Sequence, residues 1–247
     1  MTIRPHILLL AGSFEARRVA EALTARGLSY AGWLSEPPRG DAVMPQTPEL
    51  RCFDDAQAMQ AAMVQGKFTA VLDASHGFDR TITQQATQAA MALGIPYLRL
   101  ERPVWDVAQN ANWQAAADVS SANHMIAAGE RVFCATGWDS LVDFTPFRGA
   151  VLMLRQTRRH TRPAPYPFVE LVFGDPPFNA ADEQALFTQL KVDTLICRNL
   201  GGAASRPKLD AAAALGLKVI LIERPVPPQG LDSVECIDQA MAWIHAL

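Results

Sequence analysis

The chain has 247 residues, 49% of them hydrophobic and 19% charged, which is the composition of a globular protein and the length of one large domain or two small ones. Its formal net charge of −3 offers no footprint for nucleic acid or an anionic membrane. Apolar runs such as residues 7–11 and 219–222 are of strand length, far short of the ~20 residues a membrane span needs, and a charged helical pattern follows the first run where a secretion signal would stay apolar, so a cytoplasmic protein is expected.

From the N-terminus, apolar runs at 6–12, 28–34, 70–75 and 97–102 read as strands, alternating with helical stretches at 15–27, 55–66 and 82–94. The helices close in Gly27, Gly66 and Gly94, the residue type that best takes the left-handed conformation after a helix end. Residues 107–128, rich in Ala, Asn and Ser, are expected to contribute a helix that ends the first half. The order then starts again, with strands at 131–137, 150–156, 194–199 and 218–223 and helices around 180–190 and 207–216. Such alternation indicates βαβ units on a parallel sheet.

The second half repeats the first. Residues 88–104 align with 210–226 at an offset of 122, Ala89, Ala90, Ala92, Leu93, Gly94 and the run Glu101-Arg102-Pro103-Val104 recurring identically. Residues 67–78 meet 191–202 at an offset of 124, with Lys67 on Lys191, and 8–15 meet 132–139 at the same offset. The expected fold is α/β, with two tandem-duplicated, Rossmann-like, doubly wound lobes of parallel sheet, residues 1–128 and 129–247, and an interlobe cleft of the kind where ligands preferentially bind. Duplicated lobes can also exchange an element, because each strand fits the other's place.

In open α/β sheets ligands sit beyond the carboxyl ends of the strands. After the first strand, Gly12 and Ser13 stand at the start of a helix, where free N–H groups and the macrodipole favour a phosphate or carboxylate. A capped turn without a ligand is the plain alternative, because the loop lacks Gly-x-Gly-x-x-Gly. Thr136, Gly137 and Trp138 are the counterpart in the second lobe. After the second strand the first lobe has Ser35, Glu36 and Arg39, whereas the second runs through Arg155, Arg158, Arg159, His160 and Arg162 without an acid. A dinucleotide held there would be NADPH rather than NADH, whose ribose asks for a carboxylate. The alternative is a solvated basic loop, or one that meets a polycarboxylate substrate.

The third strand of the first lobe ends in Ser75 and His76, a hydroxyl and an imidazole that can bond a ligand and deliver a proton near neutral pH; a structural partnership is the alternative for a lone histidine. Its counterpart ends in Arg198, Asn199, Gly201 and Gly202, where the glycines permit close backbone approach or simply a turn. Arg99, Glu101, Arg102 and Trp105 follow the fourth strand. Cys52, Cys134, Cys197 and Cys236 lack Cys-x-x-Cys spacing and the five histidines are unpaired, so reduced, mostly buried thiols and no metal are expected.

Taken together, Gly12, Ser13, Glu15, Ala16 and Arg17, then Asp73, Ala74, Ser75, His76 and Phe78, the stretch Gly94 through Trp105, Thr136 with Gly137, and Asn199, Gly201 and Gly202 followed by Lys208 through Gly216 resemble, in order and spacing, the precorrin-6A reductase family of cobalamin biosynthesis. Gly77 stands where that family has proline, and Cys197-Arg198-Asn199-Leu200 replaces a lysine-bearing run, with Arg198 keeping the cation. The resemblance implies an oxidoreductase acting on CH–CH groups, which reduces one ring C=C bond of precorrin-6A with NADPH to give precorrin-6B. The cobalt-bearing substrate is the alternative. A proton must also be supplied, and His76, or a water it holds, is the candidate donor. Gly12, Ser13, Gly137, Trp138, Arg155, Asn199, Gly201 and Gly202 would then serve the cofactor, and Arg17, Ser75, Arg102, Trp105, Arg198 and Lys208 a tetrapyrrole fringed with carboxylates. No metal, nucleic acid or membrane partner is expected, and a transient handover to neighbouring pathway enzymes is. A two-lobed nucleotide-sugar transferase or a non-enzymatic binding protein would share the architecture. A short-chain dehydrogenase would need Tyr-x-x-x-Lys, but Tyr30, Tyr97 and Tyr166 are followed by Leu34, Glu101 and Glu170.

Overall fold

The computed structural model describes residues 5–37 and 43–247; Arg39 lies outside them. The first half runs β1 (His6–Leu10), α1 (Phe14–Ala25), β2 (Ser29–Leu34), β3 (Glu49–Leu50), α2 (Ala56–Gln65), β4 (Ala70–Asp73), α3 (Arg80–Leu93) and β5 (Tyr97–Leu100), followed by β6 (Trp113–Ala116) and α4 (Val119–His124). The second half runs β7 (Arg131–Ala135), a 3₁₀ turn (Trp138–Phe144), β8 (Val151–Gln156), β9 (Val169–Phe173), α5 (Ala180–Leu190), β10 (Thr194–Arg198), α6 (Pro207–Ala214) and β11 (Lys218–Ile222), followed by β12 (Ser233–Val234) and α7 (Ile237–His245).

Two six-stranded sheets result, β3-β2-β1-β4-β5-β12 and β9-β8-β7-β10-β11-β6, with parallel pairing throughout. Numbered within each half, both read 3-2-1-4-5-6, the strand order of dinucleotide-binding folds. The sixth strand of each sheet comes from the other half. Ser233 and Val234 of β12 lie beside Arg99 and Leu100, and β6 lies beside β11. The chain therefore divides into Met1–Pro103 with Pro225–Leu247, and Val104–Arg224. Both crossings fall in the repeated Glu-Arg-Pro-Val, residues 101–104 and 223–226. The boundary expected near residue 128 instead falls inside the second unit, between α4 and β7, because the strand at 113–116 completes that unit's sheet.

β1 shows how the sequence becomes a doubly wound sheet. Its residues are buried on both faces: Ile7 and Leu9 pack with Val19 and Leu23 of α1 and Met241 and Ile244 of α7, while Leu8 and Leu10 pack with Met59 and Met63 of α2 and Ala86 and Ala90 of α3. A strand covered on both sides needs an unbroken apolar run rather than alternation, and HILLL supplies it. The second unit repeats one such face, with Phe133, Leu195, Val219 and Leu221 against Phe187 of α5 and Leu209 of α6.

The repeat extends to backbone conformation. Lys67 and Lys191, paired by the alignment, are the described non-glycine residues with positive φ, at 55° and 53°. Gly94 ends α3 in the left-handed conformation as expected, and Gly27 follows α1 with φ 62°. Gly66 does not: its φ is −73°, and the left-handed step passes to Lys67. Space is what Gly66 provides, since a Cβ there would lie 2.3 Å from the Phe68 ring. Cys134 and Cys197 are buried, but Cys52 and Cys236 are exposed, against the expectation of mostly buried thiols. Among the described residues no helix is long and apolar enough to cross a membrane, and no cluster of His, Cys, Asp and Glu could hold a metal.

Candidate functional site

In the first unit two strand ends converge. Gly12, just past β1, has φ 141°, and a Cβ there would sit 3.1 Å from the His76 backbone nitrogen. Ser13 caps α1 by accepting from Ala16 N–H at 3.1 Å, and its hydroxyl donates to the Ala74 carbonyl at 2.7 Å. Gly12, Ser13, Ser75 and His76 are thereby assembled between β1 and β4, where the strand order reverses and ligands of this fold class bind. The His76 Nδ1 accepts from Phe78 N–H at 3.3 Å. In the neutral ring the proton therefore sits on Nε2. At the first turn of α1, Arg102 pairs with Glu15 at 3.0 Å, and Arg17 lies over the Phe14 ring.

A buried network holds this turn. Asp73, the last residue of β4, accepts from Ser75 N–H at 2.9 Å through Oδ1, while its Oδ2 takes bonds from Arg99 (2.7 Å), Tyr97 (2.6 Å) and Thr83 (2.8 Å). Burial alone would raise the carboxyl pKa, but the Arg99 charge and these hydrogen bonds outweigh it and hold Asp73 below its ordinary range. Tyr97 is pushed far above the usual phenol range by burial and by the same carboxylate. The sequence did carry a signal for this pair. A charged residue in each of two buried parallel strands requires a partner.

The second unit makes a different arrangement at its matching strand ends. Gly137, with φ 95°, opens the 3₁₀ turn, and a Cβ there would lie 3.6 Å from the Arg198 Nη2. Trp138 is covered by the Arg162 guanidinium, 4.1 Å from the ring centre, and by the His160 edge at 5.4 Å. His160 bonds Gln156 through Nε2, and its buried Nδ1 has no partner among the described residues. Arg158 and Arg159 are exposed in the same loop. The structure thus gathers Gly137, Trp138 and Arg198, and adds His160 and Arg162.

Other residues singled out from the sequence are engaged elsewhere. The Arg155 guanidinium pairs with Glu183 at 2.7 Å between the Phe133 and Phe178 rings, away from solvent. Asn199 spends its amide on the backbone of Trp105, accepting from its N–H and donating to its carbonyl, both at 2.8 Å. The Trp105 indole is buried and donates to the Gly202 carbonyl. Gly201 and Gly202 both have positive φ and turn the loop that receives it. The Lys208 ammonium donates to the Ser205 carbonyl and sits near Cys197 and Glu183. Its pKa is lowered because burial disfavours the charge more than those neighbours favour it. Glu183 was the residue that sequence reasoning missed. An acid in the first turn of an amphipathic helix reads as a cap complement, and nothing local marks it as the partner of Arg155.

Fold and strand order define a two-lobed, Rossmann-ordered α/β protein. Residues 6–245 match the model of the precorrin-6x reductase family CbiJ/CobK, and the chain belongs to that family. It is 32% identical to the precorrin-6A reductase of Rhodococcus erythropolis, over 98% of each chain. It is 33% identical to that of Mycobacterium tuberculosis, again over 98% of each. Among solved structures, CobK precorrin-6A reductase superposes with a TM-score of 0.89 at 26% identity, covering 98% of this chain and 97% of the other.

Proposed function

We propose that the protein reduces one ring C=C bond of precorrin-6A to precorrin-6B with NADPH, in the cytoplasm, as a step of cobalamin biosynthesis. The observation that carries this reading is the full-length family match, with His76, Ser75 and Gly12 meeting at the reversal of strand order in the first unit. The metal-free substrate is favoured over the cobalt form because relatives at 30 to 33% identity are named for precorrin-6A, and those named for cobalt-precorrin-6A match at 26%.

The second unit fits a phosphorylated dinucleotide. Gly137 leaves a cradle that a Cβ would narrow toward Arg198. The end of β8, which faces the ribose in this strand order, carries exposed Arg158, Arg159 and Arg162 and a His160 Nδ1 that bonds none of the described residues. Gly137, Trp138, Arg198 and this loop would hold the cofactor, with Gly201 and Gly202 shaping the neighbouring turn. NADPH, when bound, supplies the hydride, and the protein contributes orientation, electrostatics and exclusion of water. His76, in its imidazolium form or through a water it holds, delivers the proton to the adjacent carbon and is left as the neutral ring, whose Nδ1 accepts from Phe78 N–H. Arg17 and Arg102 meet substrate carboxylates at the first turn of α1.

A titration following nicotinamide fluorescence tests the reading, followed by turnover on precorrin-6A and its cobalt form. Micromolar NADPH binding, much weaker NADH binding and loss of NADPH absorbance on adding precorrin-6A are expected. A chain that binds neither nucleotide, with or without the tetrapyrrole, is not this reductase.

A further inference from the structure

A cavity of about 450 Å³ opens in the first unit against the polar face of α3, within the ~300–1,000 Å³ usual for small-molecule sites. Arg80, Gln84 and Gln88 of α3 form one wall, Arg99 and Glu101 the end of β5, and the return segment 225–229 the other side. Arg99 is 4% exposed. Its Nη1 donates to Asp73, Thr83 and Ser75 and its Nε to Glu101, whereas Nη2 bonds none of the described residues. A guanidinium presents two amino groups in a fixed fork, and one left unused beside a cavity is a donor that lacks its acceptor.

The surroundings select an anion. Arg80, at the first position of α3, is exposed and forms no ion pair with a described residue. The N-terminal half of a 14-residue helix adds its positive end. The nearby acids are already committed: Asp79 caps α3 and accepts from Ser35, and Glu101 faces Arg99 Nε at 3.5 Å. We propose that this cavity is a carboxylate subsite, in which Arg99 Nη2, Arg80 and the amides of Gln84 and Gln88 take one arm of a polycarboxylate ligand. That the carrier is the tetrapyrrole rests on the function proposed above; the chemistry of the pocket stands apart from it.

Uroporphyrin, a stable tetrapyrrole fringed with acetates and propionates, is the probe, titrated by its fluorescence into the full chain. The wild type binds it, and Arg80→Gln and Gln84→Glu weaken binding by about tenfold. Arg99→Lys keeps a charge against Asp73 but loses the second amino group, and weakens binding likewise, with circular dichroism confirming its fold. Uroporphyrin affinity within about twofold across the three variants overturns the subsite, as does a wild type that binds neither uroporphyrin nor glutarate. Glutarate that saturates the pocket while uroporphyrin is refused overturns the macrocycle as carrier. NADPH titrations of the same variants match the wild type. Absence of NADPH binding in all of them defeats the reductase reading and leaves the uroporphyrin series to judge the subsite.

Discussion

The Asn199 side chain is closed onto the backbone of Trp105, 94 residues away, by two hydrogen bonds of 2.8 Å, one to its N–H and one to its carbonyl. Trp105 comes directly after the first Glu-Arg-Pro-Val crossing, so this clamp fixes the chain as it enters the second unit. Both Trp105 groups are buried, and Asn199→Ala leaves them without partners. A loss of about 2–4 kcal/mol is expected, read as a lower urea midpoint with unchanged slope. A midpoint within experimental error of the wild type would show that the clamp contributes nothing.

Most of the sheet was legible because buried parallel strands announce themselves. The strands HILLL, VLMLRQ and KVILI each contain a run of four apolar residues, and each was placed within a residue or two of its bounds. β3, β6, β9 and β12, the edge strands, were missed for a physical reason. Short edge strands with burial on few positions leave no periodic signal, so the exchange that β6 and β12 perform had to be left open although the repeated ERPV marked its crossings. At the strand ends, Gly12, Gly137, Gly201 and Gly202 were legible because a positive φ selects glycine. Arg155, Asn199 and Trp105 looked equally functional. Their partners, Glu183 and one another, lie far away in sequence, and only the fold reveals that their polar atoms are occupied.

Asp73 and Arg99 form a buried pair at 2.7 Å. Because the folded pKa of Asp73 is depressed, the stability it contributes is fully present above its unfolded value near ~3.9 and is lost as pH falls through the lower folded value. Asp73→Asn strands the Arg99 charge and costs about 3–5 kcal/mol near neutral pH. It also removes part of the acid-side slope of stability below pH ~4. Urea unfolding from pH 2 to 7 checks both; a parallel displacement of the whole curve would place the acid sensitivity elsewhere.

His76 is assigned the proton, and Gly12 the room for its turn. His76→Ala is expected to slow single-turnover reduction of precorrin-6A by about 10²–10⁴-fold while NADPH affinity holds. A wild-type rate in that variant removes His76 from the chemistry. Gly12→Ala combines a strained φ with a 3.1 Å contact to the His76 nitrogen, so it should lower the rate as well as the stability. A variant that loses stability but keeps full rate would separate the packing of this turn from its catalytic placement.

The basic loop after β8 offers the sharpest separation of cofactor from substrate. Arg158, Arg159 and Arg162 are exposed, so replacing all three with serine leaves the core of the second unit intact. If they meet a 2′-phosphate, the variant loses about 10–100-fold in NADPH affinity, and NADH, which lacks that group, is bound as before. Salt should then weaken NADPH binding to the wild type more than to the variant, because screening acts on charges the variant no longer has. Equal losses for both nucleotides would instead point to Arg162 acting through Trp138, whose ring it covers. Unchanged nucleotide affinity with weakened precorrin-6A binding would move the loop from the cofactor to the carboxylates of the substrate.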